Sequence, residues 1–193
     1  MKLTKKEAHE YWKNPPEENR PIYYYHGNDR SMNLVAIIER YCTPLDSILE
    51  LGCNVGRNLR VLEERCFNDL YGIDINEESI DMTCVPNAGL MRGSLEDILP
   101  QIPDRKFDVV FSMATLMHIS NESEWILKDI ARITNRILII IEKESFEGIA
   151  DDITIRCYDH DYSIFNMFGF SEIYKDFNIT MRGYITRVFK HES

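Results

Sequence analysis

The sequence is short of positive charge, and this shortage limits the partners it can have. Its 193 residues carry 22 lysines and arginines against 32 aspartates and glutamates, for a formal net charge of -10 at pH 7. Proteins that bind nucleic acids usually present a basic face or stripe, whereas here the basic residues are scattered along the chain. We therefore expect no nucleic-acid partner.

The sequence also lacks long apolar runs, closely spaced cysteines and an apolar leader. The longest apolar run, "ILIII" at 137–141, is far too short to span a bilayer, and the first 21 residues contain no apolar core of a signal peptide. The five cysteines are odd in number, and no pair has the C-x-x-C spacing of zinc or redox sites. No cluster of His, Asp and Glu suggests a metal. We expect reduced thiols, no membrane association and a cytoplasmic location.

After residue 46, short apolar runs alternate with amphipathic stretches of helical length. Alternation of this kind predicts a doubly wound α/β sheet in three layers. Residues 1–46 are expected to form a polar and aromatic extension with a helix at "SMNLVAIIERY", and residues 47–193 the core domain. Near the end, a short helix closed by Gly169 precedes two strands whose short connection makes them antiparallel neighbours. The earlier predicted strands are 47–52, 70–76, 89–93, 106–113 and 136–144, and a capped helix is predicted at 121–134.

The loop after the first strand reads G-C-N-V-G, from Gly52 to Gly56. A dinucleotide fingerprint would be G-x-G-x-x-G, and two of its three glycines are missing here, which disfavours a pyrophosphate held against the backbone. The helix that follows still directs its positive end at the loop, which favours a carboxylate or phosphate. Asp74 ends the second strand, 22 residues after Gly52, where a carboxylate can accept hydrogen bonds from both hydroxyls of a ribose.

These segments, together with "GSLEDILP" (93–100) and "FDVVFSMATLMHIS" (107–120), resemble the class I S-adenosylmethionine-dependent methyltransferases. The resemblance covers about residues 45–190 and implies a seven-stranded sheet, mostly parallel with an antiparallel last strand. It also implies S-adenosylmethionine as cofactor and S-adenosylhomocysteine as product. The cofactor-binding residues that it implies are Glu50, Gly52, Cys53, Asn54, Gly56 and Arg57 at the methionine end, with Arg30 as a further partner of its carboxylate, Asp74 at the ribose, Ile75, Ser94 and Leu95 at the adenine, and Ser112 and Met113 beside the transferring methyl group.

The methyl acceptor needs a base only if it begins protonated, as an alcohol or ammonium does. His118 follows the fourth strand and His160 lies in the acidic, aromatic segment "CYDHDYS"; both are catalytic candidates. Tyr158 and Asp159 of that segment are expected to bind substrate, as are Tyr24 and His26 of the aromatic segment "IYYYHGNDR". The pair "YW" at 11–12 is aromatic as well; the resemblance implies that such an N-terminal segment closes over the cofactor, and aromatic faces in either segment could favour the cationic sulfonium.

The expected function is methyl transfer to an oxygen or nitrogen of a small molecule, such as a sugar or other secondary metabolite. Two alternatives remain open. One is a binding module of the same fold that holds the cofactor or a partner chain without catalysis; the other is a methyltransferase that acts on proteins. The oligomeric state is not indicated by the sequence.

Overall fold

A computed structural model of the chain describes residues 2–26, 29–144 and 154–192. Seven strands are present; helices separate the earlier ones, while the last two follow each other without a helix, as predicted. The strands are β1 (Ile48–Leu51), β2 (Leu70–Asp74), β3 (Gly89–Arg92), β4 (Phe107–Met113), β5 (Thr134–Lys143), β6 (Phe170–Phe177) and β7 (Tyr184–His191). The α-helices with described ends are α1 (Lys5–Lys13), α2 (Asp29–Tyr41), α3 (Arg57–Glu63), α4 (Glu77–Asp81), α5 (Leu95–Ile98) and α6 (Ile126–Ile133).

All seven strands join in one sheet with the order β3-β2-β1-β4-β5-β7-β6. Strands β1 to β5 are parallel, and β7 runs antiparallel to both β5 and β6. The prediction of a doubly wound, mostly parallel sheet with an antiparallel last strand is therefore confirmed. Strand order reverses between β1 and β4, so the carboxyl ends of these strands border the crevice in which such folds bind ligands.

Two apolar clusters cover the two faces of the sheet and produce three layers. The cluster on one face includes Leu34 and Ile38 of α2 and Leu59 of α3. The cluster on the other face includes Ile130 of α6 and Phe165 of a 3-10 helix. The central strand β5 is buried from Ile137 to Glu142, as expected for a strand with helices on both sides.

Several helix ends match the sequence signals, and one does not. Asn76 caps α4 by accepting a hydrogen bond from Ser79 N at 2.9 Å, and Gly169, with φ 87°, closes a 3-10 helix over Tyr162–Phe168. The α-helix predicted at 121–134 is shorter than expected. Its first part, Asn121–Ser123, is a separate 3-10 turn capped by the Ser120 hydroxyl, so the polar signature starts that turn rather than α6.

The extension before residue 47 contains a helix that the sequence analysis missed. Helix α1 begins with a capping box, in which Thr4 and Glu7 each bond the backbone of the other. The pattern T-x-x-E is a helix-start signal and could have revealed it. None of the helices within the described residues is long and apolar enough to cross a membrane.

Candidate functional site

A cavity of about 370 Å³ lies at the carboxyl ends of β1, β2 and β4, within the size range of small-ligand pockets. It brings together most of the predicted cofactor residues and parts of the N-terminal extension. The predicted residues that line it are Tyr24, Arg30, Glu50, Gly52, Cys53, Asn54, Arg57, Asp74, Ile75, Ser94, Leu95, Met113 and His118.

The loop from Gly52 to Gly56 follows β1 and makes the floor of this cavity. Gly52 has φ 72°, and a Cβ built on it would lie 2.2 Å from Thr115 Oγ1, so no larger residue fits. Asn54 also has a positive φ, 49°, in the left-handed region that asparagine tolerates better than other non-glycine residues. The asparagine therefore adopts the backbone conformation that the middle glycine of a dinucleotide loop would supply. Gly56, with φ 76°, is the N-cap residue of α3, and it is a predicted cofactor residue that does not line the cavity.

Asp74 holds this loop in place from the end of β2. Its Oδ2 accepts a hydrogen bond from Asn54 N at 2.7 Å, and its Oδ1 accepts one from Asn76 N at 2.8 Å. Burial raises the pKa of Asp74, while the hydrogen bonds from these amides oppose the rise. Each carboxylate oxygen can accept more than one hydrogen bond, so Asp74 can still receive the two hydroxyls of a ribose.

Glu50 presents an unsatisfied oxygen within the same cavity. Its Oε1 accepts a hydrogen bond from Asn58 Nδ2 at 2.6 Å, whereas its Oε2 is buried and has no hydrogen-bond partner among the described residues. Burial raises the pKa of Glu50 to about 8, although Asn58 and the Arg57 guanidinium favour the charged form. A buried carboxyl oxygen without a partner is costly, and the ammonium group of S-adenosylmethionine would supply the missing donor. The site therefore fits the cofactor at this end.

Arg57 stands at the start of α3 and offers a cation for the carboxylate of the cofactor. Its Nε is buried without a hydrogen-bond partner among the described residues, and burial lowers the pKa of the guanidinium. Arg30 lies close enough to add to this effect through charge repulsion. Two positive groups thus meet on one side of the cavity, where an anionic group of a ligand would relieve both burial and repulsion.

At the adenine end, Ser94 and Leu95 line the cavity, but the Ser94 hydroxyl is already engaged. It caps α5 by accepting a hydrogen bond from Asp97 N at 3.2 Å, and it donates to Asp97 Oδ2 at 2.7 Å. The Ser94 hydroxyl therefore has no hydrogen left to donate to an adenine, whereas backbone groups of this segment and the remaining lone pair of the hydroxyl can still contact one.

His118 also lines the cavity, at the end of a 3-10 turn after β4. Its Nδ1 lies 2.9 Å from the carbonyl oxygen of Arg156, and since a carbonyl can only accept, we assign the proton to Nδ1. The ring packs against Trp12 at 4.5 Å between centroids. Burial lowers the pKa of His118 to about 4. The imidazole is therefore neutral at pH 7, and its Nε2 is a hydrogen-bond acceptor.

Some predicted residues lie outside the cavity lining. The Ser112 hydroxyl is buried and donates to Glu142 Oε1 at 2.5 Å, so it points away from the cavity, while its neighbour Met113 lines it. His160 is also buried; its Nε2 lies 2.9 Å from the Ile119 carbonyl oxygen.

Most of the predicted substrate-binding residues also lie outside the cavity lining. Tyr158 is buried and donates its hydroxyl hydrogen to the Leu3 carbonyl oxygen. Asp159 and His26 are exposed to solvent, and the His26 ring packs on Tyr25. Of this set, only Tyr24 lines the cavity.

The cavity also contains Trp12, of the aromatic pair that was expected near the cofactor, and three residues that the sequence analysis missed. Trp12, from α1, has a buried indole Nε1 without a hydrogen-bond partner among the described residues. Thr115, Arg156 and Tyr184 form further parts of the wall. The capping box was the sequence signal for α1, the helix that carries Trp12. Thr115, Arg156 and Tyr184 reach the cavity because segments that are distant in the sequence fold together, and no local sequence pattern predicts this.

Comparisons with known proteins agree with this geometry. Residues 49–137 match a family model described as a methyltransferase domain, and no curated protein sequence matches the chain. The fold resembles magnesium protoporphyrin IX methyltransferase from Synechocystis with bound S-adenosylhomocysteine, at 19% identity and TM-score 0.74 over 98% of this chain and 100% of that one. It also resembles a putative methyltransferase from Haloferax volcanii in complex with the Trm112 methyltransferase activator, at 15% identity and TM-score 0.72 over 97% and 98%.

A third similar structure is the [4+2]-cyclase SpnF, at 16% identity and TM-score 0.72 over 99% of this chain and 97% of that one. At such identities structural likeness establishes a shared fold, while the family match identifies the domain. The match identifies residues 49–137 as a methyltransferase domain, and the chain has the fold of the class I, S-adenosylmethionine-dependent methyltransferases.

Proposed function

We propose that this methyltransferase acts on a small molecule and transfers the methyl group to an oxygen or nitrogen atom, with a sugar or other secondary metabolite as acceptor. The observation that carries the proposal is that the carboxyl groups of Glu50 and Asp74 and the neutral imidazole of His118 line the same cavity. Its volume of about 370 Å³ suits small ligands. A structural neighbour that is named for methylating magnesium protoporphyrin IX, also a small molecule, supports the same class of acceptor.

Different residues of the cavity would bind different parts of the cofactor. Glu50 would hold the ammonium group, Arg57 with Arg30 the carboxylate, and Asp74 the ribose, while Ile75 would contact the adenine. The cofactor, when bound, supplies a methyl group that is already activated on a sulfonium. The chain then has to align the acceptor with that group and exclude water.

His118 is the group best placed to orient the acceptor. With a pKa of about 4 it is a weak base, so it would accept a hydrogen bond from an acceptor hydroxyl or amine before it accepts a proton. A neutral amine acceptor needs nothing more than this orientation, whereas an alcohol loses its proton as the new bond forms. Trp12, which packs on the His118 ring, would exclude water from this side.

We further propose that residues 1–46 form a cover over the core domain of residues 47–193. Helix α1 is tied to two core residues that line the cavity, Asn76 and Glu96. Asn76 Nδ2 donates to the carbonyl oxygen of Trp12 at 3.2 Å, and His9 Nε2 lies 3.0 Å from Glu96 Oε1. A cytoplasmic location is part of the same proposal, supported by five free cysteines.

A second candidate is a module of this fold that holds the cofactor or a partner chain without methyl transfer. Two observations favour it: the low pKa of His118, which makes this imidazole a weak base, and the likeness to a protein named as a cyclase. The complex of the Haloferax neighbour with an activator protein supports a partner chain. A protein methyltransferase, for which the acidic composition would suit a basic peptide, is the remaining alternative.

The test begins with calorimetric titration of the purified chain with S-adenosylhomocysteine, with NADH as the control ligand. Small-molecule acceptors and basic peptides are then screened for formation of S-adenosylhomocysteine from S-adenosylmethionine. Turnover with a hydroxyl- or amine-bearing small molecule is the expected result. Tight binding without turnover of any acceptor would favour the second candidate, and turnover of peptides alone would favour protein methylation.

A further inference from the structure

Glu142, near the end of β5, is a fully buried carboxyl group that the proposed chemistry does not use. Its relative exposure is 0%. Its Oε1 accepts hydrogen bonds from Ser112 Oγ at 2.5 Å, Thr115 N at 2.9 Å and Leu116 N at 3.0 Å. Its Oε2 accepts one from Met117 N at 3.2 Å. One side chain thus satisfies three consecutive backbone amides and a hydroxyl.

The segment held in this way is the turn Ala114–His118, which forms one wall of the cavity. Ala114 has φ 57°, a strained conformation for alanine, and the turn needs compensating contacts to persist. Its amides would point into a buried space without a partner if Glu142 were absent, which is unfavourable. Burial raises the pKa of Glu142, and its four hydrogen bonds oppose the rise.

The same turn places two groups against the cofactor loop and the cover. Thr115 fills the space beside Gly52, where even a Cβ atom would clash with it. His118 packs on Trp12 and lines the cavity. The position of both groups therefore depends on how the turn is held, and Glu142 holds it.

We propose that Glu142 is a positioning residue for methyl transfer: its carboxylate fixes the Ala114–His118 turn and thereby the place of His118 beside the reacting atoms. This inference rests on the proposed function for its effect on catalysis. The cofactor-holding carboxyl groups, Glu50 and Asp74, stand on β1 and β2 and share no hydrogen bond with Glu142. Loss of Glu142 should therefore reduce turnover more than cofactor binding.

The test uses the full chain with Glu142→Gln, which keeps the size of the side chain and one acceptor oxygen. The side-chain NH2 group of the glutamine can only donate. It would therefore either face the N–H of Met117, which also donates, or replace the oxygen that accepts the other three hydrogen bonds. Glu144→Gln is the matched control, because Glu144 lies just beyond the same strand in an ion pair with Arg187 away from the turn. Ser112→Ala is the milder second variant, since it removes one of the four hydrogen bonds.

The first readout is the titration of the His118 ring by NMR, which needs no acceptor. We expect the ring to titrate near pH 4 in the parent and in Glu144→Gln, and toward its ordinary value of about 6.5 in Glu142→Gln as water reaches it. Affinity for S-adenosylhomocysteine should change by less than about threefold. With an acceptor in hand, kcat should fall about 10- to 100-fold while KM for S-adenosylmethionine stays nearly constant.

An unchanged His118 titration in a folded Glu142→Gln protein would overturn the proposal. If that variant does not fold, Ser112→Ala decides the question: a displaced His118 resonance supports the positioning role, and an unmoved one refutes it. Failure of the proposed function would give a different result: the parent would show no turnover, while Glu142→Gln would still change the titration of His118.

Discussion

The unpartnered oxygen of Glu50 leads to a prediction about cofactor binding and pH. In the free protein burial raises the pKa of Glu50 to about 8, so the group is protonated at neutral pH. An ammonium group bound at Oε2 favours the charged form and lowers that pKa. Binding must then release a proton from Glu50, and affinity must rise with pH while the free protein still holds that proton.

The size of the effect follows from linkage. Between pH 6 and 7, where Glu50 of the free protein is protonated and the ligand ammonium keeps its charge, affinity for S-adenosylhomocysteine should rise about tenfold. It should level off near pH 8, as Glu50 ionises and the α-amino group of the ligand begins to lose its proton. Close to one proton should be released for each ligand bound near pH 6.5.

The assay is calorimetric titration at several pH values, each in two buffers of different ionisation enthalpy, so that proton release is counted directly. Glu50→Gln is the matched variant, because it keeps the shape of the side chain but cannot ionise; its affinity should be weaker and nearly constant from pH 6 to 7. Methylthioadenosine, which lacks the ammonium and carboxylate groups, should bind the parent without the pH dependence. A flat affinity and no proton release in the parent would refute the reasoning.

Three further predictions concern the same residues. Relative to Glu50→Gln, the unfolding free energy of the ligand-free parent should fall by about 3 kcal/mol from pH 4.5 to 7, because a carboxyl whose folded pKa is raised stabilises the fold only while protonated; urea unfolding at both pH values tests this. Asp74→Ala should weaken S-adenosylhomocysteine binding by about 1–3 kcal/mol through loss of a charged acceptor, as measured by calorimetry, whereas the exposed Asp81→Ala should not. The pH–rate profile should show no inflection near 6.5 from His118, since burial lowers its pKa to about 4, and an inflection that His118→Gln abolishes would contradict this placement.

The fold was readable from the sequence because the periodicity of its elements is strong. Strand β5 is a continuous apolar run, as a strand covered on both faces must be, and the short connection from Phe177 to Tyr184 left only an antiparallel pairing. The predicted helix at 121–134 was longer than α6, because the polar residues before Ile126 are as compatible with a 3-10 turn as with the start of an α-helix.

The cofactor side of the site was readable for a different reason. Its residues follow directly on strand ends, and the carboxyl ends of parallel strands meet at one edge of the sheet. Side-chain direction was harder to infer. Ser112 and Met113 are consecutive on β4 and so point to opposite faces, with Ser112 toward Glu142 and Met113 toward the cavity. Nearness in sequence to a strand end could not distinguish them.

The acceptor side depends on packing between distant segments, which explains why three residues of the cavity wall, Thr115, Arg156 and Tyr184, were missed. Trp12 reaches the cavity only because α1 folds back over the sheet, and there its ring packs on the buried ring of His118, whose pKa burial lowers.

The asparagine in the glycine loop can now be understood together with Asp74. Asn54 takes the left-handed conformation that a glycine would supply, and in that conformation its N–H points at Asp74 Oδ2. The carboxylate that is placed to receive a ribose is thus also the group that holds the loop in shape. The two sequence features that indicated the cofactor are therefore parts of one hydrogen-bonded unit, which explains why their spacing was more informative than either feature alone.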